Sequence, residues 1–106
     1  MNQQIEGEHH VDAAGNPAGG TTTGCGISIS WQNGPLAVDG VRREPNGAFV
    51  EGVINAAIDR LECYQRSKFA CDTNAMAIAH LKNAHEALMS RTRDREARGV
   101  EGTHQV

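Results

Sequence analysis

Arg91, Arg93, Arg95 and Arg98 fall within eight residues near the end of the chain and run into the tail Gly99-Val100-Glu101-Gly102-Thr103. Arg91 and Arg95 are four apart, so on a helix they stack one turn above the other on one face, and Arg98 follows about one further turn along. A guanidinium presents a planar fork of donors that matches phosphate. An arginine ladder ending in a glycine-bounded tail could wrap a phosphorylated ligand, with Thr103 contributing from the tail. The plainer reading is a solvated helix end, where basic residues suit the helix dipole and charge runs are usually surface.

Two further residues suit a nucleotide. Tyr64 offers a ring face on which a base can stack, and Asn74 carries an amide that can pair with an adenine edge. Each also has a structural reading, Tyr64 as a packing residue between helices and Asn74 as an ordinary first-turn residue. Tyr64 and Asn74 lie beside the turn between two predicted helices, whereas Arg91 and Arg95 lie 17 and 21 residues beyond Asn74. At 1.5 Å per residue that separation is about 25–32 Å. One hairpin cannot close it. Two antiparallel hairpins can, because the turn of one then meets the helix end of the other. If these residues share a site, the site is intersubunit.

The elements that would position them are legible as an α+β arrangement, a small antiparallel β element followed by a long two-helix antiparallel hairpin. Residues 1–24 form a polar, glycine-rich N-terminal segment. Residues 25–106 are read as a single domain, with the β element at 25–44, the hairpin at 46–98 and the tail at 99–106. Ile27, Ile29 and Trp31 alternate with Ser28, Ser30 and Gln32, which is a half-buried strand pattern. Asn33-Gly34-Pro35 ends that strand, and Leu36-Ala37-Val38 with Val41 is expected to supply a short partner. Val50, Ile54, Ala57, Leu61 and Tyr64 give the seam of the first helix, and Ile78, Leu81, His85, Leu88 and Thr92 that of the second. Asn46 is expected to cap the first helix, Asp72 or Thr73 to cap the second, and Gly99 to end it.

With 106 residues the chain has room for one domain, and its alanine-rich seam and small size favour assembly with another copy. The net charge of -3 argues against DNA or RNA as the main partner, without excluding a small anion. No apolar run approaches the roughly 20 residues that span a bilayer, and no signal-peptide pattern opens the sequence. Cys25, Cys63 and Cys71 make an odd count with no Cys-x-x-Cys pair, which favours reduced thiols in a cytosol. His80 and His85 are five apart, off the helical spacing of metal ligands, so neither metal nor cofactor is expected.

From Gly24 to Val106 the sequence resembles the phage Thoeris anti-defence sponges of the first described type. The resemblance is carried by Gly26-Ile27-Ser28-Ile29-Ser30-Trp31-Gln32-Asn33-Gly34-Pro35, Asn46-Gly47-Ala48-Phe49-Val50-Glu51, Arg60-Leu61-Glu62-Cys63-Tyr64, Phe69-Ala70-Cys71-Asp72-Thr73-Asn74 and the tail from Arg91 to Thr103. The two-helix part is similar, more broadly, to the hairpin of the anti-CBASS nucleotide sponges. The resemblance implies a homodimer or hexamer, acting in the host bacterial cytoplasm. Such an assembly binds a cyclic ADP-ribose isomer made by TIR-domain immune enzymes and holds it uncleaved. Carried over by motif, Tyr64 stacks on adenine, Asn74 is the asparagine at the start of the second helix, and Arg91 and Arg95 are the arginine pair. Some members also bind cyclic oligonucleotides at a second site, for which Arg42 and Arg43 are candidates that the motif does not fix.

Two other readings compete. A signal hydrolase would need a positioned general base or a metal. Glu101 and His104 are the residues near the arginines that could serve, but no further carboxylate motif supports them and a tail is a poor platform for catalysis. A helical-hairpin protein-interaction module would show the same seam periodicity.

Overall fold

A computed structural model describes residues 3–106; Met1 and Asn2, which begin the polar segment 1–24, lie outside the described residues. The chain divides into two units, one formed by Met1–Phe49 with Val100–Val106 and the other by Val50–Gly99. The α+β class expected from the sequence holds, with small antiparallel strands first and a two-helix hairpin after them.

In the first unit β1 (Glu6–Val11), β2 (Pro17–Gly24) and β3 (Ile27–Ser30) form an antiparallel sheet in that order. Ile27 and Ile29 are half-buried and Ser28 and Ser30 exposed, as their alternation predicts. The partner of β3, however, comes from before it and not from Leu36–Val41. Thr21, Thr22 and Thr23 pair with Ser30, Ile29 and Ser28. The threonines alternate as well, since Thr21 and Thr23 are exposed while Thr22 is half-buried. The Thr22 hydroxyl accepts the indole N–H of Trp31 at 2.8 Å. Branching at Cβ suits threonine to a pleated, half-buried surface. Between β1 and β2 the Asp12 carboxylate accepts the backbone N–H groups of Ala14 and Asn16, each at 2.9 Å. The Asn16 bond is the main reason that the Asp12 carboxyl sits below its ordinary range.

The segment expected to partner β3 pairs with itself. β4 (Ala37–Val38) and β5 (Val41–Arg42) form a separate two-stranded ribbon. Asp39 and Gly40 both have positive φ, 51° and 76°, which is the requirement of the two-residue turn that matches strand twist. Asn46 does not cap the first helix either. Its side chain is taken by the strand end: Oδ1 accepts the Asn33 N–H and Nδ2 donates to the Asn33 carbonyl, both at 2.8 Å. The chain there runs so close that a Cβ on Gly47 would stand 2.5 Å from the Trp31 carbonyl carbon.

The second unit is α1 (Val50–Gln65) packed on α2 (Asp72–Ala97). In α2 the predicted positions Ile78, Leu81, His85, Leu88 and Thr92 are all half-buried, and the same three-four stepping extends back to half-buried Asn74 and on to buried Arg95. In α1 the phase differs from the expected one. Glu51, Ile54, Leu61 and Gln65 are half-buried and Ile58 is buried, whereas Val50, Ala57 and Tyr64 are exposed. Both series share Ile54 and Leu61 and both step by three and four, so spacing alone leaves the phase open; the larger apolar surface of Ile58 over Ala57 decides it. The cap of α2 is Cys71, with no side-chain cap bond, so neither Asp72 nor Thr73 serves. The helix stops as expected at Gly99, whose N–H donates to the Glu96 carbonyl.

Ile58 is 8% exposed, so Ile58→Ala removes buried apolar volume and lowers the unfolding free energy by about 2–4 kcal/mol. Gly52 lies inside α1 with open space where a Cβ would stand. Gly52→Ala raises stability by about 0.5–1 kcal/mol. Urea unfolding of the two variants, followed by circular dichroism, reads both signs.

Candidate functional site

The turn of the hairpin is built around Gln65, the last residue of α1. Its Oε1 accepts the Cys71 backbone N–H at 3.0 Å and its Nε2 donates to the Cys71 carbonyl at 3.0 Å. The same Oε1 accepts from Asn74 Nδ2 at 3.1 Å, and Asn74 Nδ2 donates a second bond to the Phe69 carbonyl at 3.2 Å. Both amide hydrogens of Asn74 are thereby committed to the turn, leaving Oδ1 as the group able to meet anything else.

Tyr64 precedes Gln65 and points elsewhere. It is 39% exposed, so the reading of Tyr64 as a seam residue does not hold. The Arg60 guanidinium lies over its ring, 5.0 Å from the centroid. Its neighbour Tyr64 is the main cause that raises Arg60 above its ordinary range. Phe69 and Met76, 67% and 61% exposed, stand near the same turn.

The arginines of α2 separate into distinct environments. Arg93 pairs with Glu86 and Arg98 with Asp94, and all four side chains are largely exposed. For these two arginines the solvated helix end is the right reading. Arg91 is exposed and, among the described residues, makes no ion pair. Arg95, one turn on, is 8% exposed. Tyr64 and Asn74 therefore sit at the turn end of the hairpin, Arg91 and Arg95 toward the other end of a 26-residue helix. Within one copy of the hairpin the length of α2 keeps the two pairs apart.

The remaining candidates lie in the first unit. Arg42 makes a bidentate pair with the carboxylate of Glu101, and the Ala37 N–H donates to the Gly102 carbonyl at 2.8 Å. The Thr103 hydroxyl donates to the Val100 carbonyl and accepts the Gln105 N–H, so it shapes its own turn. Arg43 is exposed. Glu101 and His104, the conceivable hydrolytic pair, are held by different neighbours. Arg42 takes both oxygens of Glu101, and His104 Nδ1 faces Asn16 Nδ2 at 3.3 Å. Among the described residues no three His, Cys, Asp or Glu side chains are grouped to hold a metal ion. No helix among them is long and apolar enough to cross a membrane.

The sequence reading missed Gln65 and Arg60. Gln65 continues the spacing Glu51, Ile54, Ile58, Leu61, and Arg60 stands four residues before Tyr64, so both were open to a reading with the α1 phase set on Ile58.

Fold and residues define a class, a small antiparallel β unit joined to a two-helix hairpin with an exposed aromatic at its turn. The family model described as Acb2/Tad1, hairpin domain matches residues 26–93, and the chain belongs to this family. The curated protein "Thoeris anti-defense 1" of Bacillus phage SBSphiJ7 is 44% identical over 78 residues, 74% of this chain and 52% of the relative. The chain thus spans about half the length of the curated relative it matches, 52%. Both findings agree with the resemblance read from the sequence.

The burial difference between the two arginines has a direct consequence. Arg95→Ala removes a buried charged side chain and its interactions and lowers the melting temperature, at a cost of about 1.5–3 kcal/mol. Arg91→Ala, at an exposed position, stays within about 0.5 kcal/mol of the parent. Thermal unfolding without ligand separates them.

Proposed function

We propose that the chain is a phage anti-defence protein that binds a cyclic ADP-ribose-type signal and sequesters it intact, blocking Thoeris immunity in the host cytoplasm. The observation that carries this reading is the exposed Tyr64 ring at the hairpin turn, in a family whose curated relative is named for Thoeris anti-defence. The ring stacks on adenine. Asn74, with its donors committed to the turn, accepts through Oδ1 from an amino group such as that on the adenine edge. Arg91 and Arg95 of a second, antiparallel copy hold the pyrophosphate, which accounts for two pairs that one hairpin keeps apart. A dimer meets that requirement, a hexamer being what the family resemblance implies, and Phe69 and Met76 are covered by the second copy. Thr103 orders the tail beside its own glycines. Arg42, bound to Glu101, is less suited than Arg43 to a second, cyclic-oligonucleotide site.

Capture and not cleavage is favoured because the Glu101 carboxylate is paired with Arg42 while His104 meets Asn16. The exposed Phe69 and Met76 also suit a hairpin that docks another protein, and the same experiment separates the two. The protein is incubated with the product of a TIR-domain NAD-cleaving enzyme and filtered, the retained protein is heated, and both fractions are assayed. We expect unmodified signal released from the retained fraction at about one ligand per chain. Tyr64→Phe retains binding, whereas Tyr64→Ala weakens it by about 1–3 kcal/mol, the worth of one base–aromatic stack. Loss of signal at sub-stoichiometric protein would establish turnover, and failure to retain signal would leave the protein-docking hairpin.

A further inference from the structure

Arg60 is a cation whose place the proposed function does not yet use. It stands four residues before Tyr64 on α1, so the two side chains share one face of the helix. Arg42, Arg93 and Arg98 each pair with a carboxylate. Arg60 makes no such pair among the described residues; its guanidinium lies over the Tyr64 ring instead, 5.0 Å from the centroid. That distance is within the range of an attractive cation–π contact. With Arg60 over the ring, Tyr64 still keeps 39% of its surface exposed.

We propose that Arg60 is a positioning residue that holds the Tyr64 ring from behind so that a nucleobase stacks on its opposite face. This rests on the reading of Tyr64 as the stacking residue. Two physical effects act together. A ring clamped in one rotamer has less side-chain freedom to lose when the base arrives. The cation also draws ring electron density toward itself, which eases the approach of a second π-face on the other side. Arg60 touches the ring and not the ligand, so its contribution exists only while the ring is there.

A double-mutant cycle tests it, with the purified product of a TIR-domain NAD-cleaving enzyme as titrant in calorimetry. Arg60→Met keeps the length and removes the charge, and Tyr64→Leu keeps apolar bulk and removes the π-face. Both positions are exposed, and unchanged melting temperatures establish that the variants are folded. We expect Arg60→Met to weaken binding about two- to fivefold in the parent, to have no further effect in the Tyr64→Leu background, and Arg60→Lys to recover part of the loss. Equal loss in both backgrounds would show that Arg60 contacts the ligand directly, and unchanged affinity of Arg60→Met would show that it is surface only; either overturns the proposal. If the parent itself binds nothing, the sequestration reading falls and takes this inference with it.

Discussion

The hairpin depends on what one side chain does at its turn. Helix α2 begins with backbone N–H groups that have no partner within the helix, and its cap residue Cys71 supplies no side-chain bond. Gln65 reaches across from the end of α1 and bonds both the N–H and the carbonyl of Cys71. A single amide thereby fixes where the second helix starts relative to the end of the first. Asn74 joins the same oxygen, which ties the first turn of α2 to the lock. Because Gln65 takes the inward position, its neighbour Tyr64 is turned outward. The exposure of the ring is therefore a consequence of how the turn is closed.

Helix length imposes the next constraint. At 26 residues α2 extends about 39 Å. A rigid rod of that length holds the aromatic–amide pair and the arginine pair at separate ends, and no side-chain movement closes such a distance. In the proposed reading the hairpin divides a stacking platform and a phosphate clamp between its two ends. A second copy running the other way is the economical route to reunite them. The solvent-facing arginines fit the same division. Arg93 and Arg98 are matched by Glu86 and Asp94, whereas exposed Arg91 has no ion pair among the described residues and lets an acidic chain attract an anion locally.

How far these features were legible follows from the kind of signal each residue carries. The hairpin was legible because Ile78, Leu81 and Leu88 are large, apolar and regularly spaced, and burial follows apolar surface. The phase of α1 was not, because alanines at 56 and 57 precede Ile58 and a three-four spacing admits two registers. The strand pattern of Ile27 and Ile29 was legible, but its partner was not. The β2 partner is built of Thr and Gly, whose pairing comes from backbone bonds and one threonine hydroxyl and leaves no apolar alternation to read. Asn46 looked like a helix cap because asparagine at a helix start usually is one. A non-local demand from Asn33 claims the same amide, and spacing cannot reveal that. The candidate residues themselves were named from chemistry and resemblance. What the structure adds is that they are not equivalent.

That inequality is clearest for the two arginines one turn apart. A spacing of four places them on one face, yet the seam passes through Thr92 and Arg95 and leaves Arg91 outside it. Burying a guanidinium is costly unless it is hydrogen-bonded, so Arg95 is a charge held in place by its surroundings. Arg91 is a charge on an exposed, solvated stem. For a bound phosphate these differ in kind. A fixed guanidinium loses little freedom on contact and defines where the anion sits, while an exposed one gives up more entropy and adapts to what it finds. In the proposed site Arg95 would couple the phosphate's position to stability, and Arg91 would serve capture alone. A ladder of identical residues read from the sequence resolves into one positioned charge and one adjustable charge because the heptad seam, and not the arginine spacing, decides which of them is buried.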